Sequence, residues 1–189
     1  MKYGIFSCSP REGGNSDFCA SLVYRHLGRH AELFYPCKKP LQPCIACGFC
    51  DNGAGKCVFA AQENDTVTTL YSSLFQLDKA LFIVPMYFYH VPANFKAFLD
   101  RAQAWYAVAQ KQKPARNLAV DLILIGAREK GDKLFAGAKL SIHYAMQCIG
   151  AKVETCLCLY GLDKPDDLAN TPEKQQQILD TLCLNPATL

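Results

Sequence analysis

The chain has 189 residues, the size of one domain better than two. Half of it is hydrophobic and a fifth charged, which excludes a disordered or fibrous chain, and a net charge of +3 makes no case for nucleic acid or an acidic membrane surface. Its 11 cysteines leave two classes open, a secreted disulfide scaffold or intracellular thiols used for metal or redox chemistry.

Met1 to Arg11 has no apolar h-region before a small-residue cleavage site, and the longest apolar run, Ala80 to Tyr89, is far shorter than the roughly 18 residues of a membrane span. The expectation is therefore a cytoplasmic protein with reduced or metal-bound cysteines and no contact with membranes or nucleic acid.

Short apolar runs alternate with segments of helical period, the pattern of βαβ units around a parallel sheet. Lys2 to Ser7 reads as a buried first strand. A polar loop, Cys8 to Gly14, precedes a helix opening near Asn15 or Ser16, either of which could cap it, with Cys19, Leu22, Val23, His26 and Leu27 on one face. Hydroxyls, free N–H groups, a helix N-terminus and the Arg11 guanidinium can converge there on a phosphate. The alternative is a plain capped turn. Neither a Walker loop nor a dinucleotide fingerprint is present, and the position six after Cys8 is Gly14, the wrong spacing for a thiolate phosphatase.

Glu32 to Tyr35 reads as the second strand. From Cys37 to about Asn64 the pattern dissolves into proline, glycine and cysteine, a loop of functional length. It carries Cys44, Cys47, Cys50 and Cys57 as C-x2-C-x2-C-x6-C. Three thiolates at successive x2 spacing suit the different irons of a cubane, with a fourth arriving from beyond, whereas structural zinc takes two separated C-x2-C knuckles. The spacing favours a 4Fe-4S cluster, with Gly48, Gly53 and Gly55 easing the wrap. Zinc, a disulfide-forming thiol loop and a loop that binds nothing remain alternatives. Cys37 could join this chemistry, while Cys19, Cys148, Cys156, Cys158 and Cys183 read as packed small hydrophobes.

Asp65 caps a helix running to Gln76, and Lys79 to Val84 is an apolar third strand ending at Pro85. Pro92 opens a helix with Phe95, Phe98, Leu99, Ala102 and Tyr106 as its buried stripe. Leu118 to Ile125 is the fourth strand, Asp132 to Ile149 a helix stopped by Gly150, Lys152 to Tyr160 the fifth strand, and Thr171 to Leu184 a last helix capped by Thr171. The reading is one unit over residues 1–189 with a cysteine-rich insertion at about 37–64.

Three motifs occur in order: Ser9-Pro10-Arg11-Glu12-Gly13-Gly14-Asn15-Ser16, Pro85-Met86-Tyr87-Phe88 and Lys96-Ala97-Phe98-Leu99-Asp100-Arg101. Together they resemble the flavodoxin-like NADPH-dependent FMN reductase superfamily, and the cysteine loop resembles its iron-sulfur flavoprotein branch; the likeness covers residues 1 to about 160. It implies a three-layer doubly wound α/β fold with a five-stranded parallel sheet of order 2-1-3-4-5. It implies FMN, its phosphate held by Ser9, Arg11, Asn15 and Ser16, its isoalloxazine bordered by Pro85, Met86, Tyr87 and Phe88, with Gly126-Ala127-Arg128 approaching from the other side. No residue is expected to be catalytic, since the flavin carries the chemistry.

Cys8 stands where the family usually has glycine. Tyr89-His90 replaces a commonly small, glycine-containing pair, which narrows the flavin face and bears on nicotinamide access. His90 reads as a gate or a solvent-facing group rather than a proton donor. Asp100-Arg101 reads as a structural pair or part of a subunit interface, not as catalytic.

The expected function is an iron-sulfur flavoprotein passing electrons between a ferredoxin-like carrier or NAD(P)H and an acceptor. The expected assembly is a homodimer or homotetramer that brings both cofactors together at subunit contacts. The alternatives are an NAD(P)H-dependent FMN or quinone reductase without a cluster and, from another class, a zinc-stabilised binding module.

Overall fold

The structure, a computed structural model, describes residues 1–52, 54–62, 64–111 and 117–184. Gly53, expected to ease the cysteine wrap, lies outside them.

Five parallel strands form one sheet in the order β2-β1-β3-β4-β5: β1 Tyr3–Ser7, β2 Ala31–Phe34, β3 Lys79–Pro85, β4 Leu118–Ile125 and β5 Ala151–Leu159. The three inner strands are almost wholly buried because both sheet faces are covered, as in doubly wound folds. Alternation within them divides the core. Ile5, Leu81, Ile83, Ile123 and Ile125 pack with α1 (Asn15–Leu27) and α6 (Pro172–Thr181), while Phe6, Phe82, Val84, Leu122 and Leu124 pack with α2 (Thr66–Leu74), α3 (Ala93–Asp100) and α5 (Ala136–Cys148). Burying each large apolar side chain stabilises the fold by about 1.5–3 kcal/mol. Among the described residues no helix is long and apolar enough to cross a membrane.

Registers fix where the strands end. Ser7 lies beside Ile83 and Pro85 beside Ile125, so the loops after β1, β3 and β4 leave the same edge. The chain reverses its direction of travel between β1 and β3, the switch point at which open α/β sheets bind ligands.

Several local expectations are corrected. The cap of α1 is Gly14, without a side-chain bond, and Asn15 and Ser16 lie inside the helix. The stripe after Pro92 belongs to two helices, α3 and α4 (Gln103–Lys111), and Tyr106 is exposed. The break falls where the Arg101 side chain turns inward to meet Asp65. Helix α5 begins at Ala136, after a turn, rather than at Asp132. Thr171 precedes α6, but its hydroxyl donates to Asp167 O (2.7 Å) and makes no cap bond. Asp65 does cap α2, accepting from Thr68 N at 2.9 Å.

The cysteines also divide differently. Cys19 is buried as expected, whereas Cys148 and Cys158 are half-buried and Cys156 and Cys183 exposed. Strand β5 is an edge strand, so its outer positions lack cover.

Candidate functional site

The loop after β1 is held in shape by Asp17. Its carboxylate accepts from Ser7 Oγ (2.5 Å), Gly13 N (2.9 Å) and Lys38 Nζ (2.7 Å). Lys38 also donates to Arg11 O. Ser9, nearly buried, folds its own turn, its hydroxyl accepting from Arg11 N at 3.1 Å. The first N–H groups of α1 have no intrahelical acceptor, and they open toward this loop with the positive end of the helix dipole. Arg11 is exposed and its guanidinium has no partner among the described residues, which leaves one full charge available to an anion.

Of the four phosphate candidates, Ser9, Arg11 and Ser16 sit around this cradle, Ser16 buried in the first turn of α1. Asn15 is placed otherwise. Its Nδ2 donates to Lys164 O (2.8 Å) and Leu162 O (3.4 Å), and its Oδ1 accepts from Leu168 N (2.9 Å). That carboxamide ties the cradle to the segment after β5, leaving the backbone N–H of Asn15 for a ligand. Cys8 points away, fully buried, with its Sγ against Phe6 O at 3.6 Å. Burial, then a hydrogen bond with Cys37, pushes the Cys8 thiol up. Cys37 is thus paired with Cys8 in the core and does not join the cysteine loop.

The loop after β3 is a tight turn closed by Tyr87 N to His90 O (2.8 Å) and His90 N to Tyr87 O (3.1 Å). Its central residues, Phe88 and Tyr89, both take positive φ, 48° and 66°. Glycine would adopt these angles freely, and each L side chain there costs about 1–2 kcal/mol. The turn holds Phe88 98% exposed, with Tyr87 and Tyr89 also exposed and Pro85 and Met86 half-buried beneath. Met86 N donates to Ile125 O at 2.7 Å, which joins this turn to the end of β4.

There Gly126 has a packing reason: a Cβ would meet Leu134 Cδ2 at 2.6 Å. Ala127 and Arg128 follow, exposed. Arg128 donates to the Tyr89 hydroxyl and lies over its ring, 5.6 Å from the centroid. His90 turns instead toward α5, with Nε2 3.1 Å from Ser141 Oγ. The residue is half-buried, its ring engaged with α5 rather than fully turned to solvent.

The three loops leave one edge of the sheet and place there an anion cradle and an aromatic, partly apolar turn, the two kinds of surface that a phosphorylated planar ring requires. Sequence reading missed Asp17 and Lys38, which organise the cradle; the acid in the first helical turn was the available signal.

The cysteine segment is tied to the same edge. Asn94 Nδ2 donates to Cys37 O (3.0 Å) and Lys39 O (3.1 Å). Beyond it, Cys44, Cys47, Cys50 and Cys57 line one cavity of about 440 Å³, together with Phe59, Asp100, Arg101, Gln103 and Ala104. Ala46 and Gly48 take left-handed φ, 52° and 72°, which folds the C-x2-C-x2-C run into tight turns. Burial pushes the Cys50 thiol up, aided by the nearby Asp51, Cys44 and Cys57. Among the described residues no group of three or more His, Cys, Asp or Glu side chains could hold a metal ion. Four sulfurs converging on one zinc at about 2.3 Å are therefore not formed.

A second thiol cluster lies on β5. The hydrogen bond from Cys156, and then Lys139 against the cost of burial, pull the Cys158 thiol down to about 6.

The sequence model of the NADPH-dependent FMN reductase family matches residues 1–151. No curated protein matches the chain in sequence. Among solved structures, the NAD(P)H:quinone oxidoreductase of Methanothermobacter marburgensis superposes with a TM-score of 0.69 at 16% identity, covering 94% of this chain and 95% of that one. The FMN-dependent NADH-azoreductase of Bacillus anthracis, in complex with FMN, gives 0.58 at 14% identity, covering 96% and 99%. An NADH:FMN oxidoreductase in its apo form gives 0.57 at 16% identity, covering 99% and 92%. At such identities the likeness establishes the shared fold.

Proposed function

Because the chain belongs to the NADPH-dependent FMN reductase family, we propose that it is an NAD(P)H-dependent flavin oxidoreductase that reduces a small planar acceptor such as a quinone. Bound FMN would supply the two-electron redox chemistry that links NAD(P)H to the acceptor. The observation that carries this reading is that Arg11, without a partner among the described residues, stands near the α1 N-terminus after β1, while the exposed Tyr87–Tyr89 turn follows the adjoining strand β3.

In this reading Arg11, Ser9, Ser16 and the first N–H groups of α1 hold the phosphate, with Asp17 and Lys38 keeping the loop in shape. Pro85 to Phe88 border the ring, and Gly126 and Ala127 let the end of β4 approach its other side. Arg128 braces Tyr89 and thereby sets the width of the open face. The homologous structures named for quinones and azo compounds support a planar acceptor. A homodimer or homotetramer accompanies this reading, supported by the exposed Tyr106, Leu140 and Tyr144 on α4 and α5.

FMN titration into the apoprotein, followed by quenching of flavin fluorescence, tests the cradle. Arg11→Met removes one charge-assisted bond worth about 1.5–3 kcal/mol and is expected to weaken FMN at least tenfold. Equal affinity for the two proteins would remove Arg11 from the phosphate site.

One observation favours a second reading within the first: the four cysteines line a single cavity. Sulfurs spaced around a volume suit a polynuclear group, in which each iron takes one thiolate, better than a single tetrahedral ion. Cys44, Cys47, Cys50 and Cys57 would hold a 4Fe-4S cluster, which supplies one-electron exchange with a carrier such as ferredoxin. Iron and acid-labile sulfide in anaerobically prepared protein check this; near-zero values with intact flavin leave the reductase without a cluster.

A further inference from the structure

Strand β5 carries two thiols on one face at the edge of the sheet. Leu157 and Leu159 belong to the α1 and α6 side of the core, so Cys158 and Tyr160 face α5, and Cys156, two residues before Cys158, shares their side. Among the described residues no strand pairs with the outer edge of β5, and Cys156 is exposed while Cys158 is half-buried. The two thiols are hydrogen-bonded to each other, and Lys139, exposed near the start of α5, bonds to Cys158. Tyr160, next on the same face, packs edge-on against Phe135 with ring centroids 4.9 Å apart. The flavin reading gives neither thiol nor Lys139 a role.

We propose that Cys156 and Cys158 form a reversible thiol–disulfide exchange site for low-molecular-weight disulfides, anionic ones first, with Lys139 as its positioning cation. Hydrogen bonds from Cys156 and Lys139 favour the thiolate of Cys158, the form that attacks. Its sulfur bonds to one sulfur of R–S–S–R, the S–S bond breaks, and R–S⁻ leaves. Cys156, held protonated by the same pairing, ionises more readily once Cys158 is neutral in the mixed disulfide. It then attacks the Cys158 sulfur and expels the second half, which takes up the Cys156 proton as R–SH. Two electrons have passed from the protein to the small disulfide. Residues two apart on a strand have Cα atoms about 6.6 Å apart, close to the upper limit of about 6.8 Å that a disulfide spans. The closed form is therefore strained and excess thiol reopens it, so the site follows the ratio of disulfide to thiol.

The test uses the full chain, reduced, freed of reductant anaerobically, and incubated at neutral pH with excess oxidised glutathione or with the neutral bis(2-hydroxyethyl) disulfide. The tryptic peptide that begins at Val153 contains Cys156, Cys158 and no other cysteine, so mass spectrometry reads this site alone. In wild type it is expected to pass through a mixed disulfide to a form two hydrogens lighter, which dithiothreitol reverses. Cys156→Ser should stop at the mixed disulfide on Cys158, and Cys158→Ser should react about tenfold more slowly. Lys139→Met should slow oxidised glutathione several-fold more than the neutral disulfide, because it removes the charge that draws the anion. A wild-type peptide that stays reduced, or a mixed disulfide that never closes, overturns the proposal. A wild-type rate in Cys158→Ser, with folding retained in urea unfolding, overturns it as well.

Discussion

The Asn15 side chain and the Leu168 backbone, 153 positions apart in sequence, are joined by a 2.9 Å hydrogen bond. The same carboxamide donates to the carbonyls of Leu162 and Lys164, so the first turn of α1 is anchored to the segment after β5. Asn15→Ala strands three main-chain groups and is expected to destabilise the FMN-free protein by about 2 kcal/mol in urea unfolding. Unchanged stability of the FMN-free protein, combined with weakened FMN binding, would assign the side chain to the phosphate instead.

Phe88 combines a left-handed backbone with a side chain that the protein itself does not cover. Phe88→Gly removes the backbone penalty and forfeits almost no burial, so the melting temperature is expected to rise, by an amount corresponding to about 1 kcal/mol. FMN is expected to dissociate several-fold faster, because the ring loses part of its border. A variant with a lower melting temperature would contradict the account of strain.

Much of this arrangement was legible in the sequence. Ala80 to Pro85 is an unbroken apolar run and Leu118 to Ile125 is apolar except for Asp121, patterns that buried strands satisfy, and Asp65 and Pro92 marked their helix starts. The cradle and the aromatic turn were legible as motifs. What escaped were long-range commitments of polar side chains. The stripe Phe95, Phe98, Leu99 and Ala102 keeps helical period through a break that falls at Arg101, whose side chain reaches Asp65, 36 positions away. Asn15 looked like a cap because nothing near it in sequence reveals the 162–168 segment. Cys156 looked like a core residue because alternation does not say which strand forms the edge.

Cys158 is expected to react as a thiolate. Hydrogen bonding from Cys156 and Lys139 holds its value near 6, so carbamidomethylation of Cys158 should rise steeply through that pH, below the usual cysteine range. Lys139→Met should move the rise upward. Peptide-resolved mass spectrometry across a pH series gives the readout, and a midpoint near 8.5 in wild type would contradict the assignment.

Acid should weaken the Arg101 to Asp65 tie. Burial alone would raise the Asp65 carboxyl, but hydrogen bonds from Arg101 and Thr68 outweigh it and hold the carboxyl below its usual value. A depressed folded-state value contributes stability above the unfolded-state value, about 3.9, and loses it as pH falls through the folded one. Wild type is therefore expected to lose stability below about pH 4 more steeply than Asp65→Asn/Arg101→Gln, in urea unfolding at stepped pH. Parallel profiles would contradict this.

The central claim is a flavin held between the Arg11 cradle and the Tyr87–Tyr89 turn and reduced by a nicotinamide. Its most direct measurement is anaerobic addition of NADPH or NADH to the FMN-loaded protein, followed by the visible flavin absorbance. The account predicts bleaching by one equivalent and recovery of the band when a quinone is added. A protein that binds no FMN, or whose bound FMN neither nucleotide bleaches, would contradict it.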